Sequence, residues 1–170
     1  PRGRVRRVLR MMSLTPHAVH LLRERGAGLV LPRRYAVVHL RGTDHPSARG
    51  AARIRRARRL GRKARSVFRG LPVFIASDDQ RMVTAFKKGF SRPASVLTSH
   101  LGPRGLRGAL HRETSGSYEQ RMSHTVGVLF DLSAMVHATR FLGSGYSKFT
   151  RLAVILRKNR SLRRIVIDPR

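Results

Sequence analysis

Apolar residues fall into two regimes along this chain: short continuous runs, and longer stretches repeating every three to four positions. Tyr35-Ala-Val-Val-His-Leu40 and Leu71-Pro-Val-Phe-Ile-Ala76 are short, rich in β-branched residues and nearly all apolar. That is the pattern of strands buried on both faces. Ala94–Leu97 reads as a weaker third strand, Phe141–Gly143 as a short one running into a turn, and Arg164–Ile167 as a terminal one. Helical periodicity fills the intervals. Thr15-Pro16 supplies an N-cap and a proline at the first helical position, and Ala18, Val19, Leu21 and Leu22 continue to a stop at Gly26. Residues 48–69 carry Ala51, Ile54, Ala57, Leu60 and Ala64 on one face, and further helices are predicted over Gln80–Phe90, Tyr118–Ala138 and about 148–158. Residues 98–117, rich in Gly, His and Arg, read as a loop. Strands alternating with helices predict βαβ units. The expected fold class is α/β: a Rossmann-like parallel sheet with helices on both faces, occupying 15–170 behind a basic N-terminal arm over 1–14.

Composition agrees with one domain. A chain of 170 residues with 41% hydrophobic content can bury a core without staples. It has no cysteine, which removes disulfides, thiolate metal sites and cysteine nucleophiles. No apolar run approaches the roughly 18 residues of a membrane span. The chain opens on Pro1 rather than Met, which fits a processed or partial sequence.

Charge changes the picture. Lys and Arg number 37 against 8 Asp and Glu, a net charge of +29, and 32 of the cations are Arg. A nucleotide pocket needs only one or two cations. Charge in such excess repels itself in the compact state unless a polyanion screens it, and nucleic acid is the obvious candidate; GC-rich coding bias is the alternative origin. Residues 1–12 are Arg-rich and acid-free. They suit a basic arm or an organelle-targeting remnant, while Val5, Val8, Leu9 and Met12 also fit a short amphipathic helix. The runs Arg53–Arg69 and Arg157–Arg164 suit either phosphate tracking or a solvated helix face. With 6% aromatics and no Trp, any RNA binding would depend on shape and charge rather than base stacking.

In open parallel sheets ligands bind beyond the C-terminal ends of the strands. The first strand runs into His39-Leu-Arg41-Gly-Thr-Asp44-His45, the second into Ser77-Asp78-Asp79, and the short later one into Gly143-Ser144-Gly-Tyr-Ser147. Three of only eight acids, Asp44, Asp78 and Asp79, thus stand at strand ends, and Asp131 lies in the helix leading to the last of them. Aspartate also caps such turns, so capping and binding are both open readings. The Gly143–Ser147 turn opens a helix whose first N–H groups and positive dipole end suit a diphosphate. Ser147 serves there as N-cap, phosphate donor or both. Arg41, presented from a rigid strand, suits a bidentate phosphate clamp. His17 and His20 are spaced i, i+3 without an evident carboxylate, so no metal site is expected, and no G-x-S-x-G elbow points to a serine hydrolase.

The pieces HLRGTDH (39–45), VFIASDD (73–79) and DLSAMVHATRFLGSGYSKFTRLA (131–153) resemble, in order and spacing, the three donor-site motifs of the GDP-fucose-dependent alpha-1,6- and protein O-fucosyltransferase superfamily. The resemblance covers about residues 35–167. It implies the donor half of a GT-B glycosyltransferase, with GDP-fucose as donor substrate and no cofactor or obligatory metal. Under it Arg41 holds the β-phosphate and stabilises departing GDP, as the catalytic residue. His39 and Asp131 contact the guanine base; Ser147 holds the diphosphate, with Ser144 in the same turn. Asp78 and Asp79 line the nucleotide cleft, and Asp44 ends the first motif. Gly42 stands where one branch of the superfamily has a second arginine. Nothing in the chain resembles the acceptor-binding half.

Two functional expectations follow. The first is a fucosyltransferase donor domain, which would work in the secretory-pathway lumen. The second is a non-catalytic RNA-bound structural protein, such as an organellar ribosomal component in the mitochondrial matrix, that keeps a glycosyltransferase-like fold.

Overall fold

The computed structural model describes residues 14–27, 31–41, 50–91, 96–98, 117–143 and 147–158. In chain order the elements are α1 (Pro16–Ala27), β1 (Ala36–Leu40), α2 (Ala51–Phe68), β2 (Val73–Ser77), α3 (Gln80–Phe90), β3 (Val96–Thr98), α4 (Tyr118–His137), β4 (Arg140–Gly143) and α5 (Lys148–Lys158). The four strands form one parallel sheet in the order β3-β2-β1-β4. Register places Ala36 opposite both Val73 and Arg140, and His39 opposite both Ala76 and Gly143.

Side-chain alternation along the strands divides the core into two layers. Ala36, Val38 and Leu40, with Val73 and Ile75, pack against Ala57, Ala64 and Phe68 of α2 and Met82, Phe86 and Phe90 of α3. On the other face Tyr35 and Val37, with Phe74 and Ala76, meet Leu22 of α1, Phe130 and Met135 of α4 and Leu156 of α5. The central strands are buried along their whole length, which is why they read as unbroken apolar runs. Burying each Val, Leu, Ile or Phe side chain there contributes roughly 1.5–3 kcal/mol. The molecule is therefore α/β, a parallel open sheet with helices on both faces, compatible with a Rossmann-like fold.

Element ends differ from expectation for identifiable reasons. β2 begins at Val73 because Pro72 has no N–H for the ladder; its carbonyl accepts from Ala36 N at 2.8 Å. The buried seam of α2 runs through Ala57, Gly61, Ala64 and Phe68; Ile54 and Leu60 are half-buried and pack against the same cluster as expected, and Ala51 is exposed. Gly61 belongs to that seam because of a close helix crossing. A Cβ on Gly61 would run into the backbone of Phe86 and Phe90, and one on Gly89 into the backbone of Arg58. Thr15 caps α1 as expected, its Oγ1 accepting from Ala18 N at 3.2 Å.

Not all the arginine is surface charge. Arg157 Nη1 donates to the carbonyls of Met135, Val136 and Ala138 at 2.7, 3.2 and 2.8 Å, gathering the orphan acceptors at the end of α4. Arg157 is thus spent on the fold rather than on a phosphate-tracking run. The expected basic arm over 1–12, the 98–117 loop and the 164–167 strand lie outside the described residues.

Candidate functional site

The connections leaving β1 and β4 go to opposite faces of the sheet. The chain after β1 enters α2 in one layer, and the chain after β4 enters α5 in the other. Adjacent parallel strands whose connections diverge leave a crevice at their C-terminal ends, the topological switch point where open α/β sheets bind ligands. His39, Arg41 and Ser147 all stand there.

Local packing shapes this crevice. Ser147 is buried and caps α5: its Oγ accepts from Thr150 N at 3.3 Å and its carbonyl from Arg151 N at 3.0 Å. Helix geometry leaves the N–H groups of Lys148 and Phe149 without intrahelical acceptors, so the positive end of α5 faces the crevice. From the other wall the half-buried Arg41 reaches Ser147 Oγ through Nη1 at 3.4 Å. Gly143 makes the close approach possible, because a Cβ there would meet Thr150 Cγ2 at 2.5 Å and Phe141 Cζ at 2.8 Å.

Behind the crevice, His39 Nδ1 lies 2.7 Å from Thr150 Oγ1, and its ring meets Phe149 edge-on at 5.5 Å between centroids. Burial pushes its pKa from the usual 6.5 down to about 4; the Asp78 carboxylate opposes that fall and the Arg41 guanidinium adds to it. His39 is therefore a neutral imidazole near pH 7, packed into the wall. Asp78, half-buried at the end of β2, belongs to the same electrostatic neighbourhood.

Asp79 has a capping role. Its Oδ1 accepts from Arg81 N at 2.9 Å as the N-cap of α3, and Arg53 Nη1 comes within 3.9 Å of Oδ2. It lines a separate open recess of about 380 Å³ with Gly50, Ala51, Arg53, Ile54 and Arg81. Ser77 ties the two strand ends together, its Oγ donating to Leu40 O at 2.8 Å. Asp131 lies within α4, half-buried, with Oδ1 shielded from solvent. Asp44 and Ser144 lie outside the described residues.

The fold thus brings Arg41, Ser147, His39 and Asp78 together, and leaves Asp79 in the neighbouring recess. Comparison with protein-family models, curated proteins and solved structures finds no match to this chain. The crevice must be read from its own chemistry: one guanidinium, one helix N-terminus and a wall held by a neutral histidine. Thr150 and Phe149 belong to that wall; both fall inside the third resembling piece (131–153), which singled out Ser147 and Asp131 but gave these two no role. One surface feature departs from expectation, since Glu24 Oε1 lies 3.3 Å from His20 Nε2 on α1. Among the described residues no three His, Asp or Glu side chains gather as metal ligands, and no helix is long and apolar enough to cross a membrane.

Proposed function

We propose that this chain is the donor-binding domain of a GDP-fucose-type glycosyltransferase, the GT-B half that holds the nucleotide sugar. The observation that carries the reading is the convergence of Arg41 and the Ser147-capped start of α5 on one crevice. A pyrophosphate suits that pair: the helix N-terminus receives one phosphate through backbone N–H groups, and the guanidinium clamps the other. The three motifs that resemble the fucosyltransferase superfamily narrow the nucleotide to GDP and the sugar to fucose.

Transfer with inversion places the acceptor hydroxyl on the anomeric carbon as the bond from that carbon to the β-phosphate oxygen breaks. The electron pair leaves on the phosphate. Arg41 stabilises that developing charge from a fixed strand end, so little reorganisation accompanies the reaction. Ser147 and α5 hold the diphosphate in line. His39 acts as a positioning residue, fixing α5 against β1 through Thr150. Asp78 lies beside it at the nucleotide side of the crevice. The acceptor and the base that takes its proton belong to the other half of such an enzyme.

Thermal unfolding with GDP and GDP-fucose tests the reading. At about 100 times Kd, GDP should raise the Tm by roughly 5–10 °C. Arg41→Ala should abolish the rise, and Arg41→Lys should keep a part of it. A wild-type chain whose Tm ignores both nucleotides sinks the proposal.

A further inference from the structure

Among the described residues, the densest charge outside the crevice lies on α2. Arg55, Arg58, Arg59, Arg62, Lys63 and Arg65 are all exposed on a helix of 18 residues that contains no acid. At 1.5 Å per residue the helix is about 27 Å long, and the row from Arg55 to Arg65 spans about 15 Å of it. The adjoining α3 also lacks acids and adds exposed Arg81 and Lys88. The Gly61–Gly89 crossing holds both helices as one rigid surface.

Apart from Arg65, which complements the dipole in the last turn, this charge does not serve the helix that carries it. Arg55/Arg59 and Arg58/Arg62 are like-charged i, i+4 pairs that repel. The first turn has Arg53 and no acid, against the helix dipole. Arginines with a structural task bond to main-chain carbonyls: Arg157 caps α4, and Arg140 Nη1 donates to Val67 O at 2.9 Å. The α2 row instead faces solvent.

We infer that the exposed face of α2, backed by α3, is a docking surface for the phosphate backbone of a double-stranded nucleic acid. A duplex presents about one negative charge per 1.7 Å of axis, matching an extended rigid row of cations. The surface has no apolar anchor for a bilayer: the exposed large hydrophobics among the described residues are Tyr118, Val128 and Ile155, none of them on α2 or α3. For the same reason it offers no aromatic platform for stacking unpaired bases. Contacts with phosphate alone carry no direct sequence information. The surface is independent of the crevice, whose helix α5 lies in the opposite layer.

The experiment is fluorescence anisotropy of the full chain with labelled RNA and DNA duplexes of about 20 bp, titrated between about 50 and 200 mM salt. The wild type should bind either duplex with little regard to sequence and weaken steeply with salt. Replacing Arg55, Arg58, Arg59 and Arg62 together by Gln should weaken binding at least about tenfold and flatten the logarithmic salt slope by about 3. Relief of like-charge repulsion should leave the Tm of this variant unchanged or raised. The same four positions changed to Lys should keep the slope. A control with equal charge removed elsewhere, Arg23, Arg34, Arg121 and Lys158 to Gln, should bind within about threefold of wild type. Equal losses in both Gln variants would reduce the effect to net charge and overturn the inference. So would a flat salt response, a marked sequence preference, or tighter binding to phosphatidylserine vesicles at matched phosphate. GDP protection is read separately, so failure here leaves the crevice untouched.

Discussion

His39 Nδ1 and Thr150 Oγ1, 111 positions apart in sequence, lie 2.7 Å from each other at the junction of β1 and α5. The contact is buried, and it makes the stability of the crevice wall depend on proton concentration. Burial lowers the His39 pKa to about 4, against about 6.5 for an unfolded histidine. Between these values the unfolded chain binds more protons than the folded one, so stability is complete above pH 6.5 and falls as pH drops toward 4. The loss should reach roughly 2–3 kcal/mol at pH 4.5. Urea unfolding of wild type and His39→Gln at pH 7 and 4.5 measures it, with carboxylate titration common to both chains. The wild type should lose more; equal losses would clear His39 of the effect.

Gly143 should tolerate no side chain, because Thr150 occupies the space a Cβ would take. Gly143→Ala should cost about 1–3 kcal/mol, the usual range for overpacking. It should also weaken GDP protection, since the strain falls on the first turn of α5. Adding Thr150→Ser, which removes the nearer Cγ2, should recover part of the loss in chemical denaturation. If Gly143→Ala is silent in both measurements, the approach of α5 to β4 is looser than the structure describes.

The layers of this fold were legible because the two central strands are buried on both faces and so spell continuous apolar runs. Caps were legible too: Thr15 and Asp79 both accept the backbone hydrogen bonds that their positions before a helix suggest. What sequence could not resolve was allocation. Asp79 read equally as cap or ligand, and only its contacts with Arg81 and Arg53 show the carboxylate committed to α3. In sequence Arg157 is one more cation among 32 arginines, yet its guanidinium collects three carbonyls at the end of α4. The seam of α2 was legible at Ile54, Ala57, Leu60 and Ala64, which pack on one core layer, but not at Gly61, which has no hydrophobic signal; its role comes from Gly89, 28 positions on, which no local period reveals. Strand order, by contrast, is long-range, and it is the β3-β2-β1-β4 order that turns separate strand-end motifs into one crevice.

The Gly61–Gly89 crossing gives a second packing prediction. Alanine at either position would press on backbone rather than on a flexible side chain, so relief requires the helices to separate. Gly61→Ala and Gly89→Ala should each destabilise by about 1–3 kcal/mol or more. A gain in helix propensity of up to about 1 kcal/mol partly offsets that cost. Guanidinium unfolding should show reduced stability in both; a more stable variant would mean the crossing has room to spare.

Asp79 separates the two readings of strand-end aspartates most sharply. As an N-cap, its loss in Asp79→Ala should cost about 1–2 kcal/mol, while Asp79→Asn should keep most of the cap because asparagine accepts the same backbone bond. The ion pair with Arg81 adds little, since that arginine is 80% exposed. Arg53 is only 14% exposed and loses its opposite charge in both variants, a cost common to Ala and Asn. GDP protection at matched stability should survive in Asp79→Asn, because the recess beside Asp79 is not the crevice of Arg41 and Ser147. Thermal shifts of the Asn variant across a GDP series check this directly. If protection collapses while the apo Tm holds, the carboxylate reaches the nucleotide, and the donor site extends from the switch point across the end of β2.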